Sequence, residues 1–440
     1  MMAPRRRISP AGIVVVIAVV AAVAVVAWML VLVRNEDSPI LPTETPIGVA
    51  TPAASPAPTL AATPLPTTPV VPTVPAGSLP DLLTYAPDRL ADGSLPLSDV
   101  ARYADIKTWM AARGIPRPAG PEDPGYAAWQ AELDTLALPS ILATRGDDPI
   151  WEQTYGFALK DVDQVLAVGQ APDFVLILKG DFDRDALQAA WVRSGYQAVA
   201  SQSVTLWSLF PGDTIDLSAP ASRPALGSFN NVVLLDDGTL IAASRISRLE
   251  TVLGVVRGDK PSLAENPQMA ALLAPGAGTR DLASAVIAKG SALESSAPAA
   301  SATPESSPAA TPPIAGTPAA VPAMPPPDLV LVGVGVPEAP AATPPMTLVL
   351  SFENADEATR AMVQAEHALR EERSPTTGQP YTARMKPIGI QIVGTGDGPA
   401  LLTLRARPLH GAADWLAIVR ERDLGFVMWS PPVDPETGDD

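Results

Sequence analysis

Proline decides where this chain can fold. Of its 51 prolines, many fall in two tracts. Residues 38–78 are almost entirely Pro, Thr, Ala, Ser and Val, as in Pro52-Ala53-Ala54-Ser55-Pro56-Ala57-Pro58, and residues 291–327 repeat that character, as in Thr311-Pro312-Pro313. Proline removes the amide donor that a helix or sheet needs, and neither tract has an apolar period of 2 or 3.6. Both are therefore expected as extended linkers rich in polyproline II. At ~3.1 Å per residue the first would reach at most about 125 Å.

Before the first tract, Ile13 to Val33 is a run of 21 residues with no charge and no proline. As a helix it would be about 31 Å long, the hydrocarbon thickness of a bilayer. Arg5, Arg6 and Arg7 precede it, and Arg34-Asn35-Glu36-Asp37 follows. The basic bias predicts a cytoplasmic N-terminus and an extracytoplasmic remainder. The run is too long for a cleaved signal peptide, so it is expected to stay as a single-pass anchor in the cell membrane. Ala18 and Ala22 form a small-xxx-small pair of the kind that lets two anchors pack.

The resulting plan has a cytoplasmic tail (1–12), a transmembrane helix (13–33), a stalk (34–79), an α+β lobe (80–290), a Pro/Ala/Ser-rich linker or insertion (291–327), a second lobe (328–430) and an acidic tail (431–440). With no cysteine in the chain, disulfides, thiol nucleophiles and cysteine-bound metals are excluded. A net charge of -17 makes nucleic acid and anionic lipid headgroups poor partners for the exported part.

Helix and strand signals alternate through 80–290. Ser98 is expected to cap a helix running to Arg113 and closed by Gly114, and a second helix is expected from about Pro124 to Leu138. Asp161 is read as the cap of a short helix to Val168. Phe174 to Leu178 reads as a strand, and Asp183 as the opening of a helix (Arg184 to Arg193) that ends at Gly195. Tyr196 to Ala200 and Val204 to Phe210 form a hairpin pair. Asn231 to Leu235 and Thr239 to Ala243 flank Asp236-Asp237-Gly238, whose Asp-Gly step suits a tight primed turn. Ser247 with Glu250 makes a capping box, and Asn266-Pro267 starts a helix to Leu273.

After the second tract, Leu329 to Val336 and Met346 to Phe352 read as strands. Asn354 with Glu357 caps a long helix to about Arg373. Ile388 to Val393 and Leu401 to Ala406 make a hairpin about Gly394–Gly398. A helix from Ala412 to Arg422 follows, then a last strand from Phe426 to Trp429. From Met346 the order is the split βαβ of ferredoxin-like sandwiches, and Val175 to Ala200 resembles its start. The fold expected is α+β, with two ferredoxin-like lobes joined by a Pro-rich linker.

One resemblance can be placed on Tyr155-Gly156-Phe157, Asp161-Val162-Asp163, Val175 to Asp183, Gly195-Tyr196 and Leu235 to Leu240. These residues are similar to those of bacterial membrane-anchored envelope proteins catalogued only as a domain of unknown function. The resemblance implies an envelope protein and carries no catalytic residue.

No catalytic, cofactor-binding or metal-ligating residue is assigned. Asp181-Phe182-Asp183-Arg184-Asp185 alternates carboxylates as a calcium loop does, but Ala186 and Val192 stand where glycine and glutamate would be needed, so helix capping is expected. His367, near Glu366 and Glu371, is expected on a solvent face. His410, one turn before Asp414, lacks a nominated serine. Gly333-Val334-Gly335 lacks the third glycine of a dinucleotide loop. Trp109, Trp129 and Trp151 are candidates for an exposed contact patch. The function expected is a non-enzymatic binding or structural module of the envelope, with another envelope protein or a wall component as partner. The alternative is a carboxylate-dependent hydrolase acting on glycan or wall polymer, which leaves no linear motif.

Overall fold

The fold is built on one antiparallel sheet of 12 strands. The computed structural model describes residues 79–89, 101–170, 173–201, 204–210, 213, 217–279, 281–290, 325–374, 377–394, 399–421 and 423–424. In chain order the strands are β1 (Ala101–Asp105), β2 (Val162–Gln170), β3 (Asp173–Gly180), β4 (Gln197–Ser201), β5 (Val204–Ser208), β6 (Asn231–Leu234), β7 (Leu240–Ala243), β8 (Leu282–Lys289), β9 (Leu329–Gly335), β10 (Met346–Phe352), β11 (Met385–Gly394) and β12 (Ala400–Pro408). The helices are α1 (Leu79–Leu83), α2 (Ile106–Arg113), α3 (Tyr126–Leu133), α4 (Ser140–Arg145), α5 (Pro149–Tyr155), α6 (Arg184–Arg193), α7 (Ile246–Val256), α8 (Pro267–Leu272), α9 (Ala355–Glu371), α10 (Tyr381–Arg384) and α11 (Asp414–Arg420). Across the sheet the strands lie in the order β11-β12-β10-β9-β8-β1-β2-β3-β7-β6-β5-β4.

That order overturns the expectation of two ferredoxin-like lobes. β8 and β9, which flank the second proline tract, pair with each other from Leu282↔Gly335 to Lys289↔Leu329. The Gly290 amide also donates to the Asp328 carbonyl at 3.1 Å. The tract therefore leaves and re-enters the sheet between two neighbouring strands. A ferredoxin-like lobe would seat its last strand beside β10, and β9 occupies that edge instead. Phe426 to Trp429 lies outside the described residues. So does the run 13–33, and among the described residues no helix is long and apolar enough to cross a membrane.

Within the single sheet the chain repeats a pairing scheme. In β1-β2-β3-α6-β6-β7, the first strand pairs with the second, the second with the third, the third with the last, and the last with the one before it. The series β8-β9-β10-α9-β11-β12 follows the same rule. The two series meet where β1 pairs with β8, antiparallel, from Ala101↔Ile287 to Ala104↔Ser284. The hairpin β4–β5 extends the first series at its outer edge. The helices α2 to α5 occupy the connection from β1 to β2, the place that the proline tract holds between β8 and β9.

Each face of the sheet carries a buried core. One core joins Val165, Leu176, Val332, Leu348 and Leu404 to Trp109, Trp151, Trp191 and Trp415 from the helices. The other joins Tyr103, Ile177, Ile241 and Leu331 to Leu82, Val252 and Met269. Local signals place the elements that carry their own caps. Asp183 accepts from the amides of Asp185 and Ala186, Asn266 from Gln268 and Met269, and Asn354 from Glu357.

Three local readings are corrected. Ala101–Asp105 is strand, and the helix starts only at Ile106, capped by Asp105. Val162–Gln170 is strand, because the Asp161 carboxylate accepts from the Ala158 amide and closes a single turn (Leu159–Asp161) before it. Ser247 lies inside α7, and its amide donates to the Asp213 carboxylate at 3.0 Å, so the cap comes from a distant loop.

A buried ionic knot closes the C-terminal end. Arg384 binds Asp414 at 3.2 Å and Glu421 at 3.2 Å, and also Asp423. Asp423 further accepts from Ser374 Oγ at 2.8 Å and Tyr381 Oη at 3.2 Å. Breaking a buried pair from one side leaves an uncompensated charge. Arg384→Met is therefore expected to cost about 3–5 kcal/mol in urea denaturation, and Arg384→Met with Asp414→Asn and Asp423→Asn less, since both buried carboxylates are then neutral. A protease site inserted within 291–324 tests the topology. The cut chain should elute and melt as one unit, and fragments that separate without denaturant would contradict the β8–β9 pairing.

Candidate functional site

At the end of the sheet where β1 stops and α2 begins, a cleft of about 510 Å³ opens between α2, the segment after it and the β2–β3 hairpin. Its apolar wall is Ile106, Met110, Ile115 and Trp129, and its charged groups are Lys107, Arg117, Asp163 and Asp181. Gly114, at φ 69°, ends α2 in the left-handed region and turns the chain so that Arg117 comes back over the cleft. The strand register shifts between Val162 and Gln164, which leaves Asp163 without a cross-strand partner and frees it to bind cations. Lys107 Nζ lies 3.0 Å from its Oδ2, and Arg117 binds its Oδ1. Gly180 ends β3 against the preceding turn, where a Cβ would stand 2.2 Å from the Asp161 carbonyl oxygen. No larger residue fits there, and Asp181 follows directly on the cleft wall.

Behind the cleft, Asp105 is 1% exposed. Burial pushes its carboxyl above the ordinary range, hydrogen bonds from Thr108 and Gln164 pull it back in part, and the charge of Asp163 raises it further. Its Oδ1 accepts the Thr108 amide at 2.8 Å and its Oδ2 accepts Gln164 Nε2 at 2.8 Å. Both oxygens are therefore committed to holding α2 on β2. The cleft thus combines an apolar wall, one carboxylate taken up by two cations and one free carboxylate. This composition suits an extended segment with aliphatic side chains and ionic groups. A paired-carboxylate hydrolysis needs a desolvated acid facing its substrate, and the desolvated acid here has no free oxygen.

The residues singled out in the sequence fall elsewhere or into other roles. Trp109, Trp129 and Trp151 are each 0–1% exposed, so they form no surface patch. Trp109 Nε1 donates to Glu132 at 2.8 Å under the Arg113 guanidinium. Trp151 stacks edge-on with Tyr155, Phe157 and Phe229. Of the three, Trp129 alone lines the cleft. His367 is exposed on α9, where Glu366 pairs with Arg370 at 3.8 Å. His410 Nε2 contacts the Ala383 carbonyl at 3.0 Å, and Asp414 is held by Arg384, so the two do not pair. Gly333 lies inside β9, where a Cβ would stand 2.7 Å from the Ser284 carbonyl oxygen. Lys107 and Arg117 lie in no motif, and Asp163 lies in one that assigned it no role, because the irregularity that frees Asp163 is a property of pairing with β3.

No family model, curated protein or solved structure matches the chain.

Asp105 gives a pH test. Its folded-state pKa is raised, so its contribution to stability is full below the unfolded value and is lost as pH rises through the folded value. Asp105→Asn, with the Gln164 amide turned so that its Oε1 accepts from the new Nδ2–H, keeps an acceptor for Thr108 and removes that ionisation cost. It should stabilise the protein at pH 7, with the gain vanishing below about pH 4, as read from urea midpoints across pH.

Proposed function

We propose that this chain is a membrane-tethered, extracytoplasmic binding module that holds an extended segment of another envelope protein in the α2/β2–β3 cleft. The run 13–33 supplies the bilayer contact and the 34–79 stalk the distance from it. The envelope resemblance points to the same compartment. The observation that carries the binding reading is the state of Asp163, whose two oxygens are both taken by cations, Lys107 and Arg117. Those cations are 69% and 38% exposed, so each can exchange part of its pairing for a ligand carboxylate. Ile115, half-buried on the cleft wall, offers apolar contact beside them. An acid–base reaction would need the same carboxylate free.

The test compares the full detergent-solubilised chain with Lys107→Ala/Arg117→Ala. A component that co-purifies with the parent should be depleted at least about tenfold, the effect of 1.4 kcal/mol, while the melting temperature is unchanged because both side chains lie at the surface. Equal recovery on both proteins would overturn the assignment to this cleft. Turnover of a wall glycan that Asp181→Asn abolishes would overturn the non-catalytic reading in favour of hydrolysis.

A further inference from the structure

The outer hairpin β11–β12 carries charges that strand pairing does not explain. Lys386 lies directly opposite Arg407, and Gly389 opposite Arg405. Residues two apart share a face of a strand, so Arg405, Arg407 and Lys386 project together. All three are exposed. Among the described residues none of them forms an ion pair. Like charges placed opposite one another destabilise a sheet. The opposite face of the hairpin already supplies its packing through Ile390, Ile392, Leu402 and Leu404. Ile388 and Leu409, 50% and 49% exposed, flank the cations.

The chain itself holds a complementary segment. Residues 425–440 contain no lysine or arginine, and they carry Asp434, Glu436, Asp439 and Asp440. The described chain leads into them at the right place. Asp423 is fixed on Arg384, two residues before Lys386, and Leu424 is buried in the core on the other face of the hairpin, so the segment reaches the cations by passing round the start of β11. Two strand residues span about 7 Å, and the ten residue steps from Leu424 to Asp434 can reach about 33 Å. A net charge of -17 repels a free polyanion at long range, whereas a tethered segment meets the face at an effective concentration in the millimolar range. Exposed ion pairs of about 0.2–1 kcal/mol each are then enough to populate the contact.

We propose that the acidic segment 431–440 docks on the Lys386–Arg405–Arg407 face of its own chain and occupies that face against other anionic partners.

A dye on Thr437→Cys reports the segment, since the chain has no other cysteine. In the full chain in neutral detergent its rotation should be slow at low salt and free at about 1 M salt, where the screening length falls to about 3 Å. Lys386→Ser/Arg405→Ser/Arg407→Ser should free it at low salt with the melting temperature unchanged or raised. A label equally mobile in the parent and the triple variant would overturn the proposal, as would slowing that appears only as protein concentration rises, which would place the segment on a second copy. A third measurement uses phosphatidylglycerol vesicles with Asp434→Asn/Glu436→Gln/Asp439→Asn/Asp440→Asn. Tighter vesicle binding by this variant than by the parent supports occupancy by the segment. Equal binding by both would make the face a bilayer contact instead.

Discussion

The antiparallel pair β1–β8 is the interaction on which the rest of this structure depends. β1 is five residues long and is hydrogen-bonded on both sides, to β2 and to β8. Without that seam the two series of strands would each present a raw central edge, open to pairing with any extended chain. Ser284 locks the seam to the layer above it. Its hydroxyl donates to the Tyr103 carbonyl at 2.9 Å and accepts the Ala137 amide at 2.7 Å. Ala137 in turn lies near Thr135, whose carbonyl accepts Trp415 Nε1 at 2.9 Å. One serine thus ties the middle of the sheet to helices drawn from both halves of the chain.

This seam also explains which parts of the fold the sequence could reveal. Elements whose ends are set by their own residues were readable. Asp183 caps α6, Asn266-Pro267 opens α8, Asn354 caps α9 and Asp236-Asp237-Gly238 turns between β6 and β7. β1 was not readable, since Ala101-Arg102-Tyr103-Ala104-Asp105 has no β-branched residue and runs straight into the true helix at Ile106. Its strand state comes from a partner about 180 residues away, as the Ser284–Tyr103 bond illustrates. β8 has the same problem, because Leu282-Ala283-Ser284-Ala285 carries alanine where a strand signal would carry valine or isoleucine. With both seam strands hidden, the remaining local order looked like two separate lobes. The sequence order of β10, α9, β11 and β12 was right, but no local pattern could say that the free side of β10 belongs to β9.

The cleft was hidden for a related reason. The helix end at Gly114 was readable, and the structure puts it there, with Arg117 just beyond it and Lys107 in the first turn of α2. Asp163, however, was read into a helix opened by Asp161. The structure turns the Asp161 carboxylate back onto the Ala158 amide and lets the chain proceed as β2. Only then does the register shift at Asp163 exist. Functional groups created by an irregularity in pairing have no sequence signature of their own, whereas the apolar wall of the same cleft follows from ordinary helix spacing.

The two outer edges of the sheet show that the cationic face is more than edge protection. A long sheet must blunt its free edges, and short strands, lysine, proline and bulges are the usual means. β4 is only five residues long, which meets the need at one end. β11 has ten residues and protects itself with Lys386, Pro387 and a register shift between Pro387 and Gly389. Those three devices lie on the edge strand. Arg405 and Arg407 do not, for they belong to β12, whose backbone is already paired on both sides with β10 and β11. They can contribute nothing to blocking strand addition, and Arg407 sets a like charge against Lys386. Placing two arginines on an internal strand therefore costs the sheet stability that edge protection cannot account for, and recognition of an anionic group is the interaction that offsets it.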